Sequence, residues 1–233
     1  MALILSIDTS TYGCSVALHD DAKRLACYEL MTEKSSSAML TLLIQNVVAQ
    51  TGFRLADLDA VAVAKGPGSY TGLRIGVSTA KGLCFALDKP LVAVNTLLAM
   101  AAQIRHFFPD THLLCPMIDA RRMEVYCAVF DNNLQEITPV EAKVIDQGAF
   151  SDVLSQRPVV FFGDGASKCQ VVLGEYSNAL FLPETVFPSA KTVGLLAAQG
   201  FENRQFEDLA TFEPFYLKDF VTTSPKKKMT VSA

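Results

Sequence analysis

Leu3-Ile4-Leu5-Ser6-Ile7-Asp8-Thr9-Ser10-Thr11-Tyr12-Gly13-Cys14-Ser15-Val16-Ala17-Leu18-His19-Asp20 reads as an apolar strand, a turn led by a carboxylate, and a second apolar strand. The plan returns later in the chain: Leu113–Ile118 is apolar, Asp119-Ala120-Arg121-Arg122-Met123-Glu124 is a turn, and Val125–Phe130 is a strand. Laid over one another without gaps, Ile7-Asp8 falls on Ile118-Asp119. Val16, Ala17 and Leu18 then fall on Cys127, Ala128 and Val129, and Asp20 falls on Asp131. Each hairpin opens its own α/β segment. The repetition predicts an internal duplication with lobes at 1–108 and 109–225, followed by a flexible, solvated tail at 226–233 that contains Lys226-Lys227-Lys228.

The remaining pattern fills in each segment. Leu25–Leu30 extends the first hairpin to a meander, and Ser35-Ser36-Ser37 offers N-caps for a helix running to about Thr51, closed by Gly52. Ala60–Ala64 is a buried strand, Thr71–Leu87 a helix, Pro90–Val94 a strand, and Thr96 caps a helix to about Phe107. In the later half come a strand at Val159–Phe162, a turn at Gly163-Asp164-Gly165, and a helix at about Ser189–Asn203. The class is α/β, with central mixed sheets flanked by helices.

Composition narrows the function. The chain has 233 residues, 50% of them hydrophobic and 19% charged, so apolar surface must be covered by a doubly buried sheet or by another chain. A net charge of −4 gives no overall attraction for a phosphodiester backbone, and contact with nucleic acid needs a partner's basic surface. The six cysteines include no Cys-x-x-Cys pair, which points to buried free thiols in a reducing compartment. No basic leader precedes the first strand, and no apolar run approaches the ~20 residues that span a bilayer. The expectation is a cytoplasmic protein without a membrane contact. The three histidines form no metal-ligand pair, and no Gly-x-Ser-x-Gly elbow is present.

A strand that ends in Asp and turns tightly into the next strand is how the actin, hexokinase and sugar-kinase fold grips phosphate. The carboxylate holds a hydrated metal and glycine N–H groups approach the phosphoryl oxygens. That fold uses five elements in order. They match the Asp8 hairpin, the Gly66–Leu87 turn and helix, the Asp119 hairpin, Val159–Gly165, and the Ser189–Asn203 helix. The glycine wanted two residues after each Asp is replaced by Ser10 and Arg121. Asp8, Thr9, Ser10, Asp119 and Arg121 therefore outline a degenerate cleft, in which Arg121 either excludes phosphate or grips an anion directly. No Walker A pattern or dinucleotide fingerprint occurs.

Gly66-Pro67-Gly68-Ser69-Tyr70-Thr71-Gly72-Leu73-Arg74-Ile75-Gly76 leads into a helix that also carries Gly82. Glycine in a helix interior costs about 1 kcal/mol against alanine. Gly72, Gly76, Ala80 and Cys84 recur every fourth residue and make one smooth face, which invites the close approach of another backbone. The preceding helix, with Met39, Leu40, Leu42, Leu43, Ile44, Val47 and Val48, is apolar nearly all round. An exposed docking surface is expected on Met39, Leu43, Gly66, Pro67, Gly68, Tyr70, Gly72, Leu73, Arg74, Gly76 and Ala80.

The Ser6–Ser10, Gly66–Gly76 and Ile118–Arg121 stretches together resemble the bacterial TsaB (YeaZ) family over essentially the whole chain. The resemblance implies an actin-like (ASKHA, ribonuclease H-like) fold with an inactive nucleotide cleft and no catalytic residues. It also implies a scaffold role in making threonylcarbamoyladenosine beside the tRNA anticodon. In that family the subunit pairs with TsaD, a larger homologue that holds the metal, and TsaE, a small ATPase, joins them. ATP and magnesium then belong to the partners, tRNA is reached through the complex, and the lone chain forms a homodimer. The competing readings are an autonomous actin-like ATPase or kinase around Asp8 and Asp119, a peptidase, and direct tRNA binding through Lys226–Lys228.

Overall fold

Strand β1 (Leu3–Asp8) is buried along its whole length, as a continuous apolar run should be when helices cover both faces of its sheet. In the computed structural model, which describes residues 2–32 and 36–218, β1 sits at the centre of five strands. Its antiparallel neighbour β2 (Cys14–Asp20) leads to β3 (Lys23–Leu30), and its parallel neighbour β4 (Ala60–Gly66) leads to β5 (Leu91–Asn95), giving the order β3-β2-β1-β4-β5. The second sheet, of β6 (Leu113–Asp119), β7 (Glu124–Phe130), β8 (Glu136–Val144), β9 (Val159–Phe162) and β10 (Ala179–Phe181), has the order β10-β9-β6-β7-β8. Strand for strand, the directions match. The duplication is therefore complete at the level of sheet topology.

Register departs from the gapless overlay by one residue. Asp8 pairs with Ser15 and Leu3 with Asp20, whereas Asp119 pairs with Val125 and Leu114 with Phe130. The second turn is one residue shorter, so Asp20 corresponds to Phe130 and not to Asp131. Because side chains alternate along a strand, a one-residue slip exchanges the two faces of β7.

Helices α1 (Ser36–Gln50) and α2 (Tyr70–Leu87) cover one face of the first sheet, where Leu3, Leu5, Ile7, Val61 and Val63 meet Leu40, Leu43, Val47, Val77 and Ala80. The opposite face is built from smaller residues: Ile4, Ala60, Ala62 and Ala64 lie against Ala99 of α3 (Thr96–Ile104) and Val193 and Ala197 of α6 (Ala190–Glu202). Helix α3 also packs Leu97, Met100 and Ala101 on Leu114, Ile118 and Phe162 of the second sheet, and so joins the lobes. The short α4 (Ser151–Leu154) and α5 (Ala166–Leu173) close the far side of that sheet. Five of the six cysteines are buried, Cys27 is half-buried, and all six are unpaired. Among the described residues no helix is long and apolar enough to cross a membrane.

The lobe boundaries need one correction. Helix α6, expected within 109–225 as second-lobe structure, lies on the first sheet. The small side chains of β4 leave room there that only a close helix fills. The N-cap of α3 is Asn95, whose Oδ1 accepts from the Leu98 N–H, rather than Thr96. Ser35 and the 226–233 segment lie outside the described residues.

Approach of α6 is closest at Gly194. A Cβ there would stand 2.1 Å from Nδ1 of His19 and 2.6 Å from Oγ of Ser6. His19 is buried, and burial pushes its pKa down to about 4, so the ring is uncharged at neutral pH. Gly194→Ala is expected to destabilise the protein by ~2 kcal/mol or more through overpacking against this ring, a loss that a urea unfolding curve would measure.

Candidate functional site

A cleft of about 760 Å³ opens between the two Asp-led turns. Ser10, Tyr12, Gly68 and Tyr70 line it from the first lobe, and Asp119, Arg121, Arg122 and Asp164 from the second. Residues Phe215 to Lys218 add a further wall.

The first turn is filled by its own chain. Asp8 is buried, and its Oδ1 accepts from the Ser10 N–H at 2.9 Å and the Ser10 hydroxyl at 2.7 Å. Its Oδ2 is buried without a hydrogen-bond partner. Burial pushes the Asp8 pKa up to about 6, although the two Ser10 hydrogen bonds oppose the rise. Asp8 does not line the cleft, so it does not face Asp119 as one half of an acid/base pair.

The glycines of α2 explain how this turn is held. The Thr9 hydroxyl donates to the Gly72 carbonyl at 2.7 Å, and the Ser69 N–H donates to the Ser10 carbonyl at 2.6 Å. A Cβ on Gly72 would lie 2.0 Å from the Thr9 carbonyl oxygen, and one on Gly76 would lie 2.3 Å from the Thr9 hydroxyl. The smooth helix face does receive a backbone, and that backbone is the protein's own Thr9–Ser10 turn. This corrects the expected docking surface. Leu43, Gly66, Pro67, Gly72, Leu73, Gly76 and Ala80 are buried within the monomer, Met39, Gly68 and Tyr70 are half-buried, and Arg74 is exposed. Helix α1 likewise turns Leu40, Leu43, Ile44, Val47 and Val48 inward, leaving Leu42 outside. The surface that α1 and α2 present outward carries Leu42, Arg74, Ser78, Gly82 and, most prominently, Phe85 at 83% exposure.

The second turn is closed differently. Asp119 Oδ1 accepts from the Arg121 N–H at 2.7 Å and from the Lys168 ammonium at 2.5 Å. Lys168, on α5, also donates to the carbonyls of Arg122 and Glu124, both at 2.7 Å. An ammonium has three donors, and here each meets an oxygen. This cage of one carboxylate and two carbonyls is the kind of oxygen set that a bound cation would use. Arg121 and Arg122 adopt φ of 70° and 50°, in the left-handed region that favours glycine. Asp164 Oδ1 accepts from the Asp119 N–H at 2.9 Å, and burial pushes its pKa up. Among the described residues no group of three or more His, Cys, Asp or Glu side chains could hold a metal ion.

Lys168 and the Phe215–Lys218 wall carry no sequence signal that would single them out. Lys168 meets oxygens 44 to 49 positions earlier in the chain, and only tertiary structure brings them together.

A family model described as TsaD, tRNA N6-adenosine threonylcarbamoyltransferase, matches residues 30–226. The tRNA threonylcarbamoyladenosine biosynthesis protein TsaB of Escherichia coli (strain K12) is 31% identical over 223 residues, covering 94% of this chain and 95% of that one. The chain belongs to the TsaB (YeaZ) family. YeaZ from Pseudomonas aeruginosa superposes with a TM-score of 0.79 at 26% identity, over 93% of this chain and 100% of that one. A more distant structure is the activator of the 2-hydroxyisocaproyl-CoA dehydratase from Clostridium difficile with bound ADPNP. It aligns over 87% of this chain and 97% of its own, with a TM-score of 0.52 and 11% identity, and shares the fold alone. The fold of this TsaB-family chain is the actin-like ATPase (ASKHA) fold, in two duplicated lobes.

Two glycines of α2 should answer oppositely to alanine. Gly72→Ala forces Cβ into the Thr9 carbonyl and is expected to cost ~3 kcal/mol. At Gly82 nothing lies within 4 Å, and Gly82→Ala is expected to gain up to ~1 kcal/mol from helix propensity. Urea denaturation of the pair checks both signs.

Asp8 supplies a pH test. Its folded pKa of about 6 stands above the usual 3.8. The fold therefore prefers the neutral acid, and stability present below the usual value is lost as pH rises through about 6. Asp8→Asn is expected to stabilise the protein by up to ~3 kcal/mol at pH 8. The gain should shrink on acidification and vanish near the usual carboxylate pKa; unfolding free energies of both proteins at several pH values measure it.

Proposed function

We propose that this chain is a non-catalytic subunit in the biosynthesis of threonylcarbamoyladenosine in tRNA, pairing with a TsaD-like homologous subunit. The Escherichia coli relative, a tRNA threonylcarbamoyladenosine biosynthesis protein matched over 94% of this chain, supports the pathway. The TsaD family model matched across residues 30–226 supports a pairing between two chains of related fold. The observation that carries the non-catalytic reading is the Lys168 ammonium, held by three oxygens at the second Asp-led turn. A built-in cation of charge +1 occupies the oxygens that a nucleotide's divalent metal would need, and the first turn has its backbone engaged by α2.

On this reading ATP and magnesium are handled by the partners, including a TsaE-like ATPase, and tRNA is met through the assembly. The docking surface is the outward side of α1 and α2, around Leu42, Arg74, Ser78 and Phe85, and it self-associates when the partner is absent. An aromatic side chain at 83% exposure beside the small Ser78 and Gly82 is a suitable anchor, because buried aromatic anchors carry a large share of interface energy.

Phe85→Asp is expected to lower capture of a TsaD-like subunit by about tenfold or more while leaving the melting temperature of the lone chain unchanged at dilutions where it is monomeric. Isothermal titration with magnesium and ATP is expected to give no heat of binding for the isolated chain. Unaltered capture would remove the interface; micromolar binding of the nucleotide would favour an autonomous ATPase instead.

A further inference from the structure

Residues 207 to 218 run from the first lobe to the second along one side of the cleft. Attachments to the first lobe are dense. Glu207 bridges to Leu91 of β5, and Phe212 packs into the core under α1 and α2 while its carbonyl accepts from Lys81 Nζ at 2.8 Å. The Phe215 N–H donates to the Lys65 carbonyl at 2.7 Å, and the Tyr216 ring lies 4.8 Å from that of Tyr70. Gly66, at φ 112°, admits the strap, since a Cβ there would be 2.7 Å from the Phe215 carbonyl oxygen.

The attachment to the second lobe is of another kind. Lys218 pairs its ammonium with the Glu124 carboxylate and stands 5.8 Å from the centroid of the Tyr126 ring. Both members of the ion pair are partly exposed. An exposed pair of this sort biases an open–closed equilibrium by at most about fivefold, and salt weakens it. The lobes themselves are joined independently by α3. What the ion pair holds is thus Leu217 and Lys218, the part of the cleft wall that lies beyond the first-lobe contacts of Phe215 and Tyr216.

We propose that this strap is a latch borne by the first lobe, which closes one side of the cleft by seating Lys218 on Glu124 and Tyr126 and opens it by letting that contact go. The hinge lies after Tyr216, whose ring on Tyr70 is the last of the first-lobe attachments described above. The latch belongs to the isolated chain and does not depend on the function proposed above.

The chain contains no tryptophan, so Leu217→Trp provides a single fluorescent reporter beside Lys218. Acrylamide quenching of that reporter is expected to rise about two- to fivefold in Lys218→Glu and, to a smaller extent, in ~0.5 M salt. The double exchange Lys218→Glu with Glu124→Lys is expected to restore the original quenching. Hydrogen exchange at the Phe215 amide should stay slow throughout, since the strap keeps its hold on the first lobe. Quenching indifferent to both charge reversal and salt would overturn the latch, as would failure of the double exchange to restore it. Loss of Phe215 protection in step with quenching would also overturn it, because the strap would then leave as one piece.

Discussion

Contact between the glycine face of α2 and the Thr9–Ser10 turn governs the first lobe. It sets the depth at which the helix sits on the sheet, holds the turn through a hydroxyl and an amide, and leaves Asp8 enclosed behind Ser10. A side chain on Gly72 or Gly76 would push the two apart by more than any soft side chain could absorb. Gly72 and Gly76, which lower helix propensity, are thereby explained without a second molecule. Their cost is offset by packing that brings two backbones into direct contact, and the outward side of the same helix is left free to carry Phe85.

From that constraint follows an asymmetry between two halves of common plan. In the first lobe the Asp-led turn is filled by a neighbouring helix of the same sheet layer. In the second it stays open to the cleft, and a lysine from α5 takes up its oxygens. Arg121 and Arg122 can hold left-handed backbone there because the turn is tied at both ends, by the Arg121 N–H to Asp119 and by Lys168 to the Arg122 carbonyl. Duplicated topology has thus been closed by two unrelated devices.

Much of this was legible in the sequence. Continuous apolar runs marked the central strands, and the repeated Ile-Asp pair marked the duplication. The overlay slipped by one residue because alternation on strands buried from both sides is too weak to fix register; both phases of β7 are apolar. Strand β8, with Glu136, Glu141 and Lys143 among its residues, gave no hydrophobic run and was not foreseen, since an edge strand needs little burial. The smooth face of α2 was recognised for its physics and assigned to the wrong neighbour. Spacing along a helix reports that something comes close, while the identity of what comes close resides in residues more than sixty positions away. Lys168 was invisible for the same reason.

Placement of α6 across the first sheet has a consequence for biogenesis. Ile4, Ala62, Ala64 and Val94 are synthesised early, yet the helix that shields them ends at Glu202. A nascent chain emerging from the ribosome therefore carries a half-covered sheet until residue 202 has been made. The first sheet thus completes its core only when a helix from the C-terminal half of the sequence has docked on it.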